Sequence, residues 1–252
     1  MPAISTSAIV LATSPYRETS RIVRLATREL GLASAVARGA SRPRSRFGAS
    51  LQVFTEGTAF ILPSRSSDLH TLTQFDAERV RIGLGERLDR FASASLLSEL
   101  MLHFAPQAPQ PESYDLLRDA LAILEAAPAL AVEPVALRSL WRMVAVLGFS
   151  PELVGCVRCG GDPGPGSACF SPQDGGVLCP RCGRGTVGAR LQVADRESLT
   201  AWLDPGSDLP VLDDRHLAAH RRLLERYIRY HIAEGAVLPA LTFWAARGWL
   251  AA

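Results

Sequence analysis

The chain of 252 residues contains no lysine, so all 27 of its fixed side-chain cations are arginine guanidinium groups. A phosphate-binding loop of the G-x-x-x-x-G-K-[ST] type is therefore excluded. No apolar run approaches the roughly 18 residues that a membrane span needs. The N-terminus also lacks a basic stretch followed by an apolar core, so no secretory signal is expected. G-x-S-x-G, H-E-x-x-H and a strand–helix G-x-G-x-x-G are absent; Gly83-Leu84-Gly85 runs on into Glu86-Arg87. Acidic residues do not gather as a two-metal nuclease requires. His216 and His220 are one helical turn apart but lack a nearby third ligand. Together these absences predict a cytoplasmic protein that is not an enzyme.

Apolar residues make up 48% of the chain and charged residues 21%, a globular composition. The formal net charge is only +2, but it is unevenly spread. Residues 1–50 hold eight arginines (Arg17, Arg21, Arg24, Arg28, Arg38, Arg42, Arg44 and Arg46) against Glu18 and Glu29. Four of the eight fall between Ala37 and Gly48, among glycine and proline and without apolar periodicity, which predicts an exposed, mobile loop. A planar, forked guanidinium suits phosphate. Aromatic side chains are few in this region (Tyr16, Phe47, Phe54, Phe60), and Phe54 and Phe60 read as core. Phosphate contact is thus favoured over base stacking. The candidate DNA-binding residues are Arg17, Arg21, Arg24, Arg38, Arg42, Arg44 and Arg46.

The pattern along the chain changes three times. Over residues 1–80, short strand-like runs at 9–11, 22–25, 32–36, 51–54 and 59–62, with a weaker one at 69–75, alternate with Gly and Pro. So many short strands in so short a span predict a small barrel. Residues 81–150 read as the first part of a helical domain. Leu88, Phe91, Ala92, Leu96, Leu100 and Phe104 form one stripe, Ser113 is placed to cap a second helix, and Pro134 to open a third carrying Leu137, Leu140, Trp141 and Val144. Residues 151–190 are rich in Gly, Pro and Cys. Helical patterns return over 191–252, with Asp195 as a candidate cap. The fold class is α+β and multidomain, with a cysteine-rich insertion inside the helical part.

All five cysteines lie between positions 156 and 182. Cys156-Val157-Arg158-Cys159 and Cys179-Pro180-Arg181-Cys182 are two C-x2-C knuckles with 19 residues between the inner pair. Two such turns supply a tetrahedral four-thiolate shell, closed to water, so the spacing predicts one structural Zn2+ per chain on Cys156, Cys159, Cys179 and Cys182. Gly160, Gly161 and Gly183 let the backbone fold around the sulfurs. Cys169 is left over and reads as a small buried apolar residue.

The order of these segments resembles the RecO family of bacterial recombination mediators. The carrying residues are Ala8-Ile9-Val10-Leu11, Tyr16-Arg17-Glu18-Thr19-Ser20-Arg21-Ile22-Val23, Val36-Ala37-Arg38-Gly39-Ala40 and Gly48-Ala49-Ser50-Leu51-Gln52-Val53-Phe54. Later come Leu147-Gly148-Phe149-Ser150-Pro151-Glu152-Leu153 and Phe170-Ser171-Pro172 with Gly175-Gly176. The resemblance implies an N-terminal OB-fold, a helical domain and a zinc module in a nucleoid-associated protein. It also implies binding of single- and double-stranded DNA, annealing of complementary strands, and work with RecR to load RecA onto strands coated by single-strand-binding protein. The acidic tail of that coat protein is an implied partner of the helical domain, and Arg138, Trp141 and Arg142 are the expected contact. The competing reading is a zinc-ribbon RNA-binding factor in ribosome or transcription function.

Overall fold

The computed structural model describes residues 2–233 and 235–250. By internal contacts the chain divides into two compact units, Met1–Ala126 and Ala127–Ala252.

In the first unit, β-branched and small residues alternate across five strands: β1 (Ile4–Tyr16), β2 (Ser20–Thr27), β3 (Gly31–Ala37), β4 (Glu56–Leu62) and β5 (Leu69–Arg79). They close into a barrel in the order β1-β2-β3-β5-β4. Every pairing is antiparallel except that of β3 with β5, which run parallel from Ser34–Ala37 against Leu69–Leu72. This is a five-stranded, OB-like barrel. Val10, Val23, Leu25, Ala35, Ile61, Leu72 and Phe75 fill its interior.

The run 51–54, expected as a strand, is instead a set of tight turns. Ser50 N–H bonds to Phe47 O (2.9 Å) and Thr55 N–H to Gln52 O (3.2 Å). Leu51 and Phe47 drop into the barrel core while Phe54, at φ 67°, lets its N–H reach Val10 O at 2.7 Å. Two residues, Gln52 and Val53, separate the buried Leu51 and Phe54, and so short an apolar run fits a turn as well as a strand, which is why the pattern misleads.

Helices α1 (Leu88–Phe104) and α2 (Pro111–Ala126) belong to the same unit. The predicted stripe of α1 is buried at Ala92, Leu96 and Leu100, whereas Leu88 and Phe91 are exposed. Ser113 is not the cap of α2. Pro111 opens the helix, and the Ser113 hydroxyl donates back to Gln110 O at 2.9 Å. The link between the two helices lies on the start of β3. Leu32 N–H donates to Pro106 O at 3.0 Å, and a Cβ at Gly31 (φ +71°) would stand 2.1 Å from Ala108 O.

The second unit carries α3 (Val132–Val144), α4 (Val193–Leu203), α5 (Asp214–Tyr227) and α6 (Pro239–Ala245). Between α3 and α4 lies a three-stranded sheet, β7-β6-β8, built from β6 (Ala168–Ser171), β7 (Gly176–Leu178) and β8 (Ala189–Leu191). Trp141, Trp202, Tyr227 and Phe170 are fully buried; the Tyr227 ring lies 5.2 Å from Trp141 and 5.8 Å from Phe170. That one side chain joins the sheet to the helices. Asp195 is not the N-cap of α4; Gln192 is, and Asp195 completes a reciprocal capping box three positions on. No helix among the described residues is long and apolar enough to cross a membrane.

Candidate metal centre and nucleic-acid interface

The two knuckles meet at one point. The sulfurs of Cys156, Cys159, Cys179 and Cys182 all lie within 4.8 Å of one another. A tetrahedron of Zn–S bonds near 2.3 Å has edges of about 3.8 Å, and Cys159 Sγ stands 3.8 Å from Cys179 Sγ. Each knuckle is closed by its own backbone. Gly160 N–H bonds to Cys156 O (2.7 Å), helped by φ +71° at Gly160, and Gly183 N–H bonds to Cys179 O (2.9 Å). Arg158 staples the first knuckle to the second, pairing with Asp174 at 2.8 Å while donating to Cys182 O at 3.2 Å.

The thiols cannot all ionise unaided. Backbone N–H groups, that of Cys179 foremost, hold Cys156 down at about 6. Hydrogen bonding to the Cys159 and Cys179 sulfurs pushes Cys182 up to about 12. A divalent cation resolves the conflict by balancing thiolate charge directly. The donor set therefore fits a soft, tetrahedral metal ion. Cys169 stands outside the set on β6, half-buried against the cluster rather than fully buried. Burial raises its thiol above the usual value.

The arginines of the first unit separate into groups. Arg17, Arg38 and Arg42 line a cleft of about 470 Å³ on the barrel, together with Tyr16 and His70. The Arg17 guanidinium lies 5.2 Å from the Tyr16 ring centroid. Among the described residues none of these three arginines forms a salt bridge. Arg44 and Arg46 are exposed on the following turns but do not line the cleft; Arg46 stacks at 5.1 Å over Phe47. Arg21 is exposed on β2. Arg24 is half-buried and donates to Leu102 O at 3.2 Å, and Arg28 pairs with Asp115 at 3.1 Å. The segment 38–46 is a chain of hydrogen-bonded turns, and Ser41 N–H ties it to Thr19 O at 2.9 Å. His70 escapes sequence reading because only the parallel pairing of Ala35 with His70 brings β5 to the cleft.

The surface expected to receive an acidic tail is occupied otherwise. Trp141 faces inward with 0% exposure, as its helical stripe demands, and offers nothing to a partner. Arg138 donates to the carbonyls of Asp204, Pro205 and Ser207 at 2.8–3.2 Å, closing the end of α4. Arg142 is half-buried beside them.

Two family models cover most of the sequence. "Recombination protein O N terminal" matches residues 1–81 and "Recombination protein O C terminal" matches residues 85–237. The chain belongs to the RecO family. This RecO chain is 36% identical over 199 residues to the DNA repair protein RecO of Symbiobacterium thermophilum, covering 78% of each chain. It is 31% identical to that of Synechococcus sp. (strain JA-3-3Ab), over 92% of this chain and 81% of the relative. It is 35% identical to that of Cutibacterium acnes, over 72% and 75%. The RecO N-terminal match ends where the barrel ends, whereas the contact boundary falls later, after α2.

Proposed function

We propose that this RecO chain is a DNA-binding recombination mediator that acts through contacts alone, making and breaking no bond. The observation that carries the reading is the barrel cleft, where Arg17, Arg38 and Arg42 converge without acidic partners. Unpaired guanidinium groups in a polar cleft bind phosphate oxygens and release condensed counterions. Neutralising phosphates on two strands lowers their repulsion, so that complementary bases pair. Arg21, Arg24, Arg44 and Arg46 extend the surface in this reading. Single- and double-stranded DNA are both ligands, because phosphate contact carries no base information. Family membership supports the wider role: cooperation with RecR, loading of RecA onto strands coated by single-strand-binding protein, and capture of that protein's acidic tail by the second unit. It also supports a cytoplasmic, nucleoid-associated setting.

The metal in this reading is one structural Zn2+ held by Cys156, Cys159, Cys179 and Cys182. It supplies charge balance and a cross-link, and with four thiolates it leaves no position for substrate.

The test is a salt titration of fluorescent oligonucleotide binding, with strand annealing followed in parallel. Arg17→Ala/Arg38→Ala/Arg42→Ala should lower the slope of log affinity against log salt by about two units on single strands, and annealing should fall with it. Slopes equal to the parent would sink the reading. Tighter binding of structured RNA than of single-stranded DNA would favour the RNA-factor alternative.

A further inference from the structure

The second unit has arginines of two kinds. Six of its thirteen are held by the fold. Arg158 pairs with Asp174, Arg221 and Arg247 share Glu133, Arg229 pairs with Glu225, Arg138 holds three carbonyls, and Arg196 reaches Gly164 O. Arg184, Arg190, Arg222 and Arg226 are different. All four are exposed, and none forms a salt bridge among the described residues.

These four are not scattered. Arg184 and Arg190 line a cleft of about 360 Å³ against the cysteine-bearing sheet, floored by Ala168, Cys169 and Gly188. Arg190 also lines a second recess of about 100 Å³, whose other wall is α5 with Arg222 and Arg226. Arg190 is thus the shared edge of two adjoining depressions. Arg222 and Arg226 are one turn apart on one side of α5, about 6 Å along its axis. Arg190 is exposed and steadied by a bond from its Nε to Ser167 Oγ at 2.8 Å. Two buried groups border the smaller recess, His220 at 1% exposure and Asp195 at 8%. His220 Nε2 lies 3.5 Å from Asp195 Oδ1, so the two groups face each other.

We propose that Arg184, Arg190, Arg222 and Arg226 form a second phosphate-contacting surface, on the unit that carries the cysteine cluster, for the backbone of a nucleic-acid strand. Repeated cations strung along the edge of two adjoining clefts match a chain of repeated anions. The surface is separate in sequence from the barrel cleft, so the protein has two places at which a strand is neutralised. It rests on the preceding reading only in taking DNA as the ligand.

The experiment uses the full-length protein and a labelled oligonucleotide of mixed sequence. Arg190→Ala/Arg222→Ala/Arg226→Ala should lower the salt slope of binding by about two units. It should slow annealing at least fivefold while metal content and melting temperature hold. Arg222→Ala alone, at an exposed helical position that alanine suits, should lower the slope by about 0.7 and serves if the triple variant unfolds. Unchanged slope and annealing in these variants, with loss only in Arg17→Ala/Arg38→Ala/Arg42→Ala, would overturn the second surface and leave the barrel reading standing. Loss only in the second-unit variants would do the reverse. Variants that bind DNA as the parent does but lose a labelled acidic peptide would also overturn the proposal, because the surface would then serve a protein partner.

Discussion

Arg81 shows how one side chain is made to hold a unit together. Its guanidinium is 1% exposed, lies 2.6 Å from Glu56 on β4 and 3.6 Å from Glu125 on α2, and donates to Arg118 O at 3.2 Å. Burial lowers its basicity while Glu56 restores part of it, and arginine stays charged regardless. Removing one member of such a buried pair strands the other, at about 3–5 kcal/mol. Arg81→Met should therefore lose that much in urea unfolding, and Arg81→Met/Glu56→Leu should recover part of it. A single variant within about 0.5 kcal/mol of the parent, the usual range for surface substitutions, would show the network to be idle. His220 makes a second residue-scale prediction. Burial pushes its imidazole down from an ordinary value near 6.5 to about 4. The unfolded chain then takes up a proton that the folded chain refuses. Stability from this source is full above about pH 6.5 and declines as pH falls toward 4, by up to about 3 kcal/mol. Melting temperatures of His220→Gln and parent should converge across that window. Curves that stay parallel would place the acid sensitivity elsewhere.

At the scale of elements, the knuckles are the clearest case. Residues 151–167 form no regular helix, and the sheet that follows has strands of three or four residues, too short to stand alone. Cys156→Ser should thus lose the metal and loosen the sheet, whereas Cys169→Ser should keep full metal occupancy; elemental analysis with protease mapping decides between them. The knuckles were legible in the sequence because two residues between thiols is a local rule that tertiary context does not alter. Five of the six strand runs were legible for a similar reason, through alternation between turn residues. Where buried spacing was ambiguous, reading failed. Leu51 and Phe54 serve a turn as well as a strand. Trp141 beside two arginines looked like a surface only until its stripe was followed inward. Ser113 and Asp195 were suitable caps placed two or three positions too late, because Pro111 and Gln192 start the helices first. The cleft was half legible. Arg38 and Arg42 came from one segment and Arg17 from the turn before β2, but His70 arrived through barrel closure, which no local pattern encodes.

For the whole molecule, the division into two units has a thermodynamic signature. The barrel core of Val10, Leu25, Ile61 and Phe75 contains no cysteine, whereas Cys156 and Cys179 are core residues of the second unit's small cluster. Metal bound to the folded form stabilises only the unit that holds it. Chelation should lower the melting of residues 127–252 and leave that of residues 1–126 in place, read as two resolved transitions by calorimetry. Equal shifts in both would show that the units unfold as one.

The turn segment that carries Arg38 and Arg42 begins at the end of β3 and finishes at Phe47, which is 3% exposed in the barrel core. The arginines therefore hang between two fixed posts, and much of the disorder that a free loop would surrender on meeting DNA has been surrendered already during folding. Length matters more than sequence in such a span. An insertion of a few Gly-Ser residues after Pro43 would keep every charge yet return that entropy, so affinity should weaken at an unchanged salt slope. Phe47→Ala should do the same from the other end, by pulling out a post rather than lengthening the rope.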